Sequence, residues 1–145
     1  MLKQEIDGYL EPVVWNILKI KIGIRAAEGG RIVLVDDLFN HLGSVTVNVA
    51  APRIKIVEPA AHDLANIMEY ISQQSPVMAE AALTAVGDML QNLQEIPDLG
   101  GPGRVPDTRE VQMYDCPVTL VYAVDDHGAV TVVAVFCTGR GEPLW

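Results

Sequence analysis

Apolar positions between residues 58 and 97 recur with the period of a helix. Leu64, Ile67, Met68 and Ile71 fall at i, i+3, i+4 and i+7, which sets them on one stripe of a first helix. Pro59 suits its first turn, where the N–H that proline lacks would find no partner anyway. Ser75-Pro76 marks a restart, with Ser75 as a cap and Pro76 at the first helical position. The second helix places Ala79, Ala82, Val86, Met89, Leu90 and Leu93 on its buried face, and Pro97 ends it. Gln73 and Gln74 alone lead into the cap, so an antiparallel helix hairpin is expected.

After the turn-rich break Leu99-Gly100-Gly101-Pro102-Gly103 the pattern changes to strands. Arg109 to Tyr114 is mixed, Val118 to Val124 is β-branched and aromatic, and Ala129 to Cys137 is almost wholly apolar. Asp125-Asp126-His127-Gly128 reads as the hairpin loop between the last two. A continuous apolar run predicts a central strand, buried on both sides or at a helix-covered face. With one more strand at Arg53 to Val57, the expected fold is α+β. It is an antiparallel helix hairpin packed on a three- to four-stranded antiparallel sheet, preceded by an N-terminal extension.

Half of the 145 residues are apolar and 20% are charged, a globular balance. No apolar run is long enough to cross a bilayer, and Met1-Leu2-Lys3-Gln4-Glu5 lacks the order of a signal peptide, so a cytoplasmic location is expected. Cys116 and Cys137 fit neither a disulfide framework nor a metal site and read as reduced core thiols; no cofactor is implied. The charge is lopsided. Residues 1–52 hold five basic and six acidic side chains (5 − 6 = −1), and residues 53–145 hold five and thirteen (5 − 13 = −8). A domain at −8 is poorly suited to gripping phosphates over a broad surface, which disfavours direct nucleic-acid binding.

The ordered set Ile56 to Pro59, Asp63-Leu64, Ile67, Tyr70-Ile71, Ser75-Pro76, Ala79, Leu93 and Pro97 resembles the ParE/RelE toxin family. The resemblance continues through Gly103-Arg104, Thr108-Arg109-Glu110, Pro117, Leu120-Val121-Tyr122 and Gly139-Arg140. In that family some members cleave ribosome-bound mRNA, and the ParE branch poisons DNA gyrase. The RNases need cations on the sheet to hold phosphates and stabilise developing charge. Their Tyr-Arg-Leu-Val-Tyr strand corresponds here to Val118-Thr119-Leu120-Val121-Tyr122, with Thr119 where the Arg would stand. The preceding strand offers only Gln112 between Val111 and Met113, and the family's His near the C-terminus is Cys137. The resemblance therefore implies the ParE branch, which acts by binding and has no catalytic residue of its own.

Domain boundaries are expected at 1–52 and 53–145, with Ala50-Ala51-Pro52 as the junction. Gly23-Ile24-Arg25-Ala26-Ala27-Glu28-Gly29-Gly30-Arg31, followed by Asp36-Asp37-Leu38-Phe39 and Leu42, resembles the C-terminal tail of ParD-type antitoxins. In that family the tail is a helix, a Gly-containing break and a second short helix. Helical spacing of Leu10, Val13, Val14 and Ile17 agrees, and Gly29-Gly30 suits the break. Against it, Ile20, Ile22 and Ile24 alternate as in a strand, as do Val45, Val47 and Val49. With Gly30-Arg31-Ile32-Val33-Leu34 and Leu42-Gly43 these resemble a swapped-hairpin antitoxin of the AbrB/MazE type. Val35 stands at that family's Pro and its Pro-Gly-Asp turn is missing, so the ParD-type tail is preferred, with a plain N-terminal extension as the third reading.

The resemblance implies a type II toxin with a covalently linked masking segment, gyrase as its target, and an antitoxin segment supplied in cis or by a neighbouring chain in a swapped homodimer. The alternatives are a RelE-like mRNase and a silent interaction module. Candidate partner contacts in the toxin domain are Arg104, Arg109, Arg140 and Trp145, although an ion pair with a nearby carboxylate such as Glu110 or Asp107 would account for each arginine equally well, and core packing for the Trp. Candidate contacts of the masking segment are Trp15, Ile17, Leu18, Ile22, Ile24, Leu38, Phe39 and Leu42, too many apolar groups to bury within so short a piece.

Overall fold

The computed structural model describes residues 16–34, 38, 54–113 and 118–137. Helix α1 covers residues 16–28, strand β1 Ile32–Leu34, β2 Ile54–Val57, α2 Glu58–Gln74 and α3 Pro76–Glu95. A 3-10 turn at Pro97–Leu99 leads into β3 (Gly101–Pro102), β4 (Arg109–Gln112), β5 (Val118–Val124) and β6 (Val130–Cys137). Ser75 parts the helices as its chemistry implies: its side chain accepts from the Met78 N–H at 3.2 Å, and Pro76 opens α3. Leu64, Val86 and Leu93 are fully buried and Ile71 nearly so, which confirms the phase of both helices.

One sheet carries the strands in the order β1-β2-β6-β5-β4-β3. The expected three- to four-stranded antiparallel sheet is therefore corrected to a six-stranded mixed one. β2 lies parallel to β6, with Ile54 opposite Val130 and Ile56 opposite Val132, because the chain returns to the sheet only after crossing the helices. Residues ahead of position 53 add β1, antiparallel to β2, and the glycine-rich break supplies the short β3 against β4. β6 is central and almost wholly buried, as its apolar run implies.

Where the alternation of Ile20, Ile22 and Ile24 competes with helical spacing, the helix wins. The helix stops at the two glycines. Gly30, at φ 76°, gives its N–H to the Ala27 carbonyl while the Arg31 N–H reaches the Ala26 carbonyl at 2.8 Å. This pair of bonds is a Schellman cap, and its left-handed residue favours glycine. Past the break comes the strand β1; of residues 35–53 only Leu38 is described, helical and buried against the main core.

β5 and β6 divide the interior in two. Val118, Leu120 and Tyr122 face the core shared with α2 and α3, together with Val130, Val132 and Val135. Val121 faces the other side with Val133, Ala134 and Phe136. A bulge separates the registers, since Val121 pairs with Ala134 but Tyr122 pairs with Val132. Val133 is the extra residue, and the bulge turns it toward the sheet face away from the helix pair.

Candidate functional site: the sheet face beside the first helix

The face opposite α2 and α3 is built by period-two alternation. Thr119 precedes Val121 on it, and Gln112 lies across from Thr119 in the β4–β5 register. Thr119 is only 5% exposed, so the position at which an RNase would present an arginine is occupied by a small, buried hydroxyl. Glu110 lies opposite Val121, two residues from Gln112 along β4.

Arg104 reaches this face from the loop between β3 and β4, which is closed by the Gly103 N–H on the Thr108 carbonyl at 2.8 Å. Its Nε and Nη2 donate to the two carboxylate oxygens of Glu110 at 2.8 and 3.0 Å, and its guanidinium carbon sits 5.8 Å from the Phe136 ring centre. The Arg104 backbone N–H also donates to Glu110, at 3.0 Å. Burial alone would raise the Glu110 pKa, but those hydrogen bonds and the Arg104 charge outweigh it and hold the carboxyl below its ordinary value. Arg104 is thus neutralised by a two-pronged ion pair.

Arg109 belongs to a different place. It pairs across the ladder with Tyr122, which faces the helix core. Its Nη1 donates to the carbonyls of Gly100 at 2.6 Å and Asp98 at 3.4 Å. The Tyr122 hydroxyl donates to the Pro97 carbonyl at 2.7 Å and accepts from the Gly100 N–H at 2.8 Å. Burial raises the pKa of that hydroxyl, so it remains a protonated donor. Arg109 therefore braces the turn at residues 97–100. The two arginines do not converge, and Arg140 and Trp145 lie outside the described residues.

α1 closes the face. Ile20 is fully buried among Val105, Val121, Val133, Ala134 and Phe136, with Ile17 and Ile24 packed beside it. β6 runs five residues past the last pair it makes with β2, from Val133 to Cys137, and α1 meets it at the start of that stretch. A Cβ on Gly23 would overlap the Val133 carbonyl oxygen, so only glycine allows the helix this close. Ala26 reaches the main core, 2% exposed. Lys19 Nζ lies 3.1 Å from Asp63 Oδ1 on α2, and Arg31 Nε lies 3.6 Å from Glu58 Oε1.

Of the expected masking contacts, Ile17, Ile24 and Leu38 pack against the body, whereas Leu18 and Ile22 are 45% and 46% exposed. Trp15, Phe39 and Leu42 fall outside the described residues. Ile20, Gly23, Ala26 and Lys19 carry the contact, although none of them was among the expected masking contacts. Helical spacing of Ile17, Ile20 and Ile24 was the available signal, obscured by the strand-like alternation of the same isoleucines.

Residues 54–141 match the family described as the ParE toxin of type II toxin-antitoxin system, parDE. The chain is also 32% identical over 72 residues to "Putative toxin Y4kP" of Sinorhizobium fredii, a match covering 50% of this chain and 75% of that protein. The chain belongs to the ParE toxin family of type II toxin-antitoxin systems, whose members pair with antitoxins. Among the described residues no helix is long and apolar enough to cross a membrane, and no group of three or more His, Cys, Asp or Glu is placed to hold a metal ion.

Proposed function

We propose that residues 53–145 poison DNA gyrase by binding it, and that the N-terminal segment masks this activity within the same chain. The observation that carries the proposal is the seating of α1. Ile20 fills an apolar site on the sheet face away from the helix pair, and Gly23 lets the helix press onto β6. This is the face on which the family's RNases carry their cations. Here Thr119 is buried, Gln112 is uncharged and Arg104 is held by Glu110, so a phosphodiester finds little to bind or stabilise it. A binding mechanism is left as the better fit to the chemistry.

Charge supports the masking half of the reading. Residues 16–31 hold four basic side chains (Lys19, Lys21, Arg25, Arg31) and one acidic (Glu28), against −8 for residues 53–145. Two of the four are paired with carboxylates at the start of α2. Covalent linkage raises the effective concentration of such a segment to roughly the millimolar range, so modest contacts suffice to keep it seated. The test compares growth on expression of residues 53–145 with growth on expression of the full chain. Toxicity confined to the shorter protein, with blocked supercoiling and intact ribosome-bound mRNA, is expected. Cuts in mRNA at the ribosomal A site would instead select the RNase reading, and equal growth would remove the mask.

A further inference from the structure

α1 is apolar on two opposite sides. Ile20, Gly23 and Ala26 turn inward and are buried. Leu18, Lys21, Ile22 and Arg25 follow one another at i, i+3, i+4 and i+7 and are all exposed, with Leu18 at 45% and Ile22 at 46%. A helix with two apolar sides belongs between two partners. Among the described residues, its own chain supplies only the inner one.

A second exposed apolar pair lies at the end of α3. Ile96 and Leu99 are 55% and 45% exposed and are framed by exposed Glu95 and Asp98. The turn that presents them is braced from within. Tyr122 ties down Pro97 and Gly100, Arg109 holds the carbonyls of Asp98 and Gly100, and the Leu99 N–H donates to the Ile96 carbonyl at 3.0 Å. Ile96 and Leu99 are therefore fixed outward in advance, which lowers the entropic cost of docking.

The two patches correspond in size and oppose in charge. Each shows two large aliphatic side chains, one pair framed by Lys21 and Arg25 and the other by Glu95 and Asp98. We infer that they meet between molecules: Leu18 and Ile22 of one copy dock on Ile96 and Leu99 of a second copy, with Lys21 and Arg25 facing Glu95 and Asp98. A chain at −9 repels itself over most of its surface, so the basic strip of α1 is the natural place for another copy to approach. The contact is heterologous, and two or more copies close it into a ring or extend it. No exchange of α1 is needed. The inference goes beyond the masking proposal and holds whether or not gyrase is the target.

Light scattering on the full chain at low ionic strength tests it. A mass at least roughly twice the 15.7 kDa of one chain is expected, falling as salt is added. Lys21→Glu with Arg25→Glu should bring the mass down to that of one chain, as should Glu95→Lys with Asp98→Lys. An equal mixture of the two folded variants should associate again, since each reversed patch then finds its complement. Ile22→Asp should also dissociate the wild-type assembly. A single-chain mass for the wild type at low salt overturns the inference. So does an assembly indifferent to both charge reversals, which would seat the contact on another surface.

Discussion

Replacing Gly23 with alanine adds one methyl group where α1 meets β6. In a helix that stands free of the sheet, the change is stabilising by about 1 kcal/mol, because alanine loses less backbone freedom on folding. In the seated helix the new Cβ would overlap the Val133 carbonyl oxygen. That oxygen is backbone of β6, which pairs with β5 on both sides of Val133, so it cannot swing aside as a side-chain tip would. Overpacking of this kind costs about 1–3 kcal/mol, which leaves a net loss of up to about 2 kcal/mol after the gain in propensity. The two states of α1 thus predict opposite signs. Thermal unfolding of the full chain should show a loss, and hydrogen exchange should quicken over residues 16–28 while α2, α3 and β6 stay protected. A neutral or stabilised Gly23→Ala chain with unchanged exchange would refute the seating.

Truncating Leu64 or Leu93 to alanine removes a side chain with no exposure from the main core, and each should cost about 2–5 kcal/mol in urea unfolding. Tyr122→Phe leaves the buried Gly100 N–H and the Pro97 carbonyl without their partner, a loss of about 1–3 kcal/mol by the same assay, with faster proteolysis at the 97–103 turn. The folded pKa of Glu110 lies below its ordinary value of 4.5. Its stabilisation is therefore complete above about pH 4.5 and is lost as pH falls through the lower folded value. Because Arg104 is 39% exposed, solvent screening limits the effect to about 1 kcal/mol, and Glu110→Gln should lose its difference from wild type at the acid end of a pH series.

The helix pair was legible because its signals are local. Ser75-Pro76 sets the break and a 3.6-residue stripe sets the buried face, and neither depends on distant residues. β5 came out at Val118–Val124 and β6 within one residue of its expected start, for the same reason. Sheet size was not legible. β1 is three residues long and β3 only two, and each exists because a neighbouring strand offers it an edge. The bulge at Val133 leaves no trace in a run of valines, yet it presents the surface on which Ile20 sits. Arg104 and Arg109 show the same limit. Sequence marks both as scarce cations, but only the fold sends one to Glu110 and the other to the carbonyls of a turn.

The central claim, a gyrase poison masked by its own N-terminal segment, is tested most directly in a supercoiling assay. Purified gyrase is titrated with the full chain and with the full chain carrying Ile20→Asp, a change that places a carboxylate in a fully buried apolar site and so unseats α1. Circular dichroism and exchange over α2 and α3 confirm that the rest of the variant is folded. The account predicts that the wild-type chain leaves supercoiling intact while the Ile20→Asp chain blocks it or traps cleaved DNA. Inhibition by both chains at the same concentration would contradict the mask, and a folded, unmasked variant that leaves gyrase untouched would contradict the target.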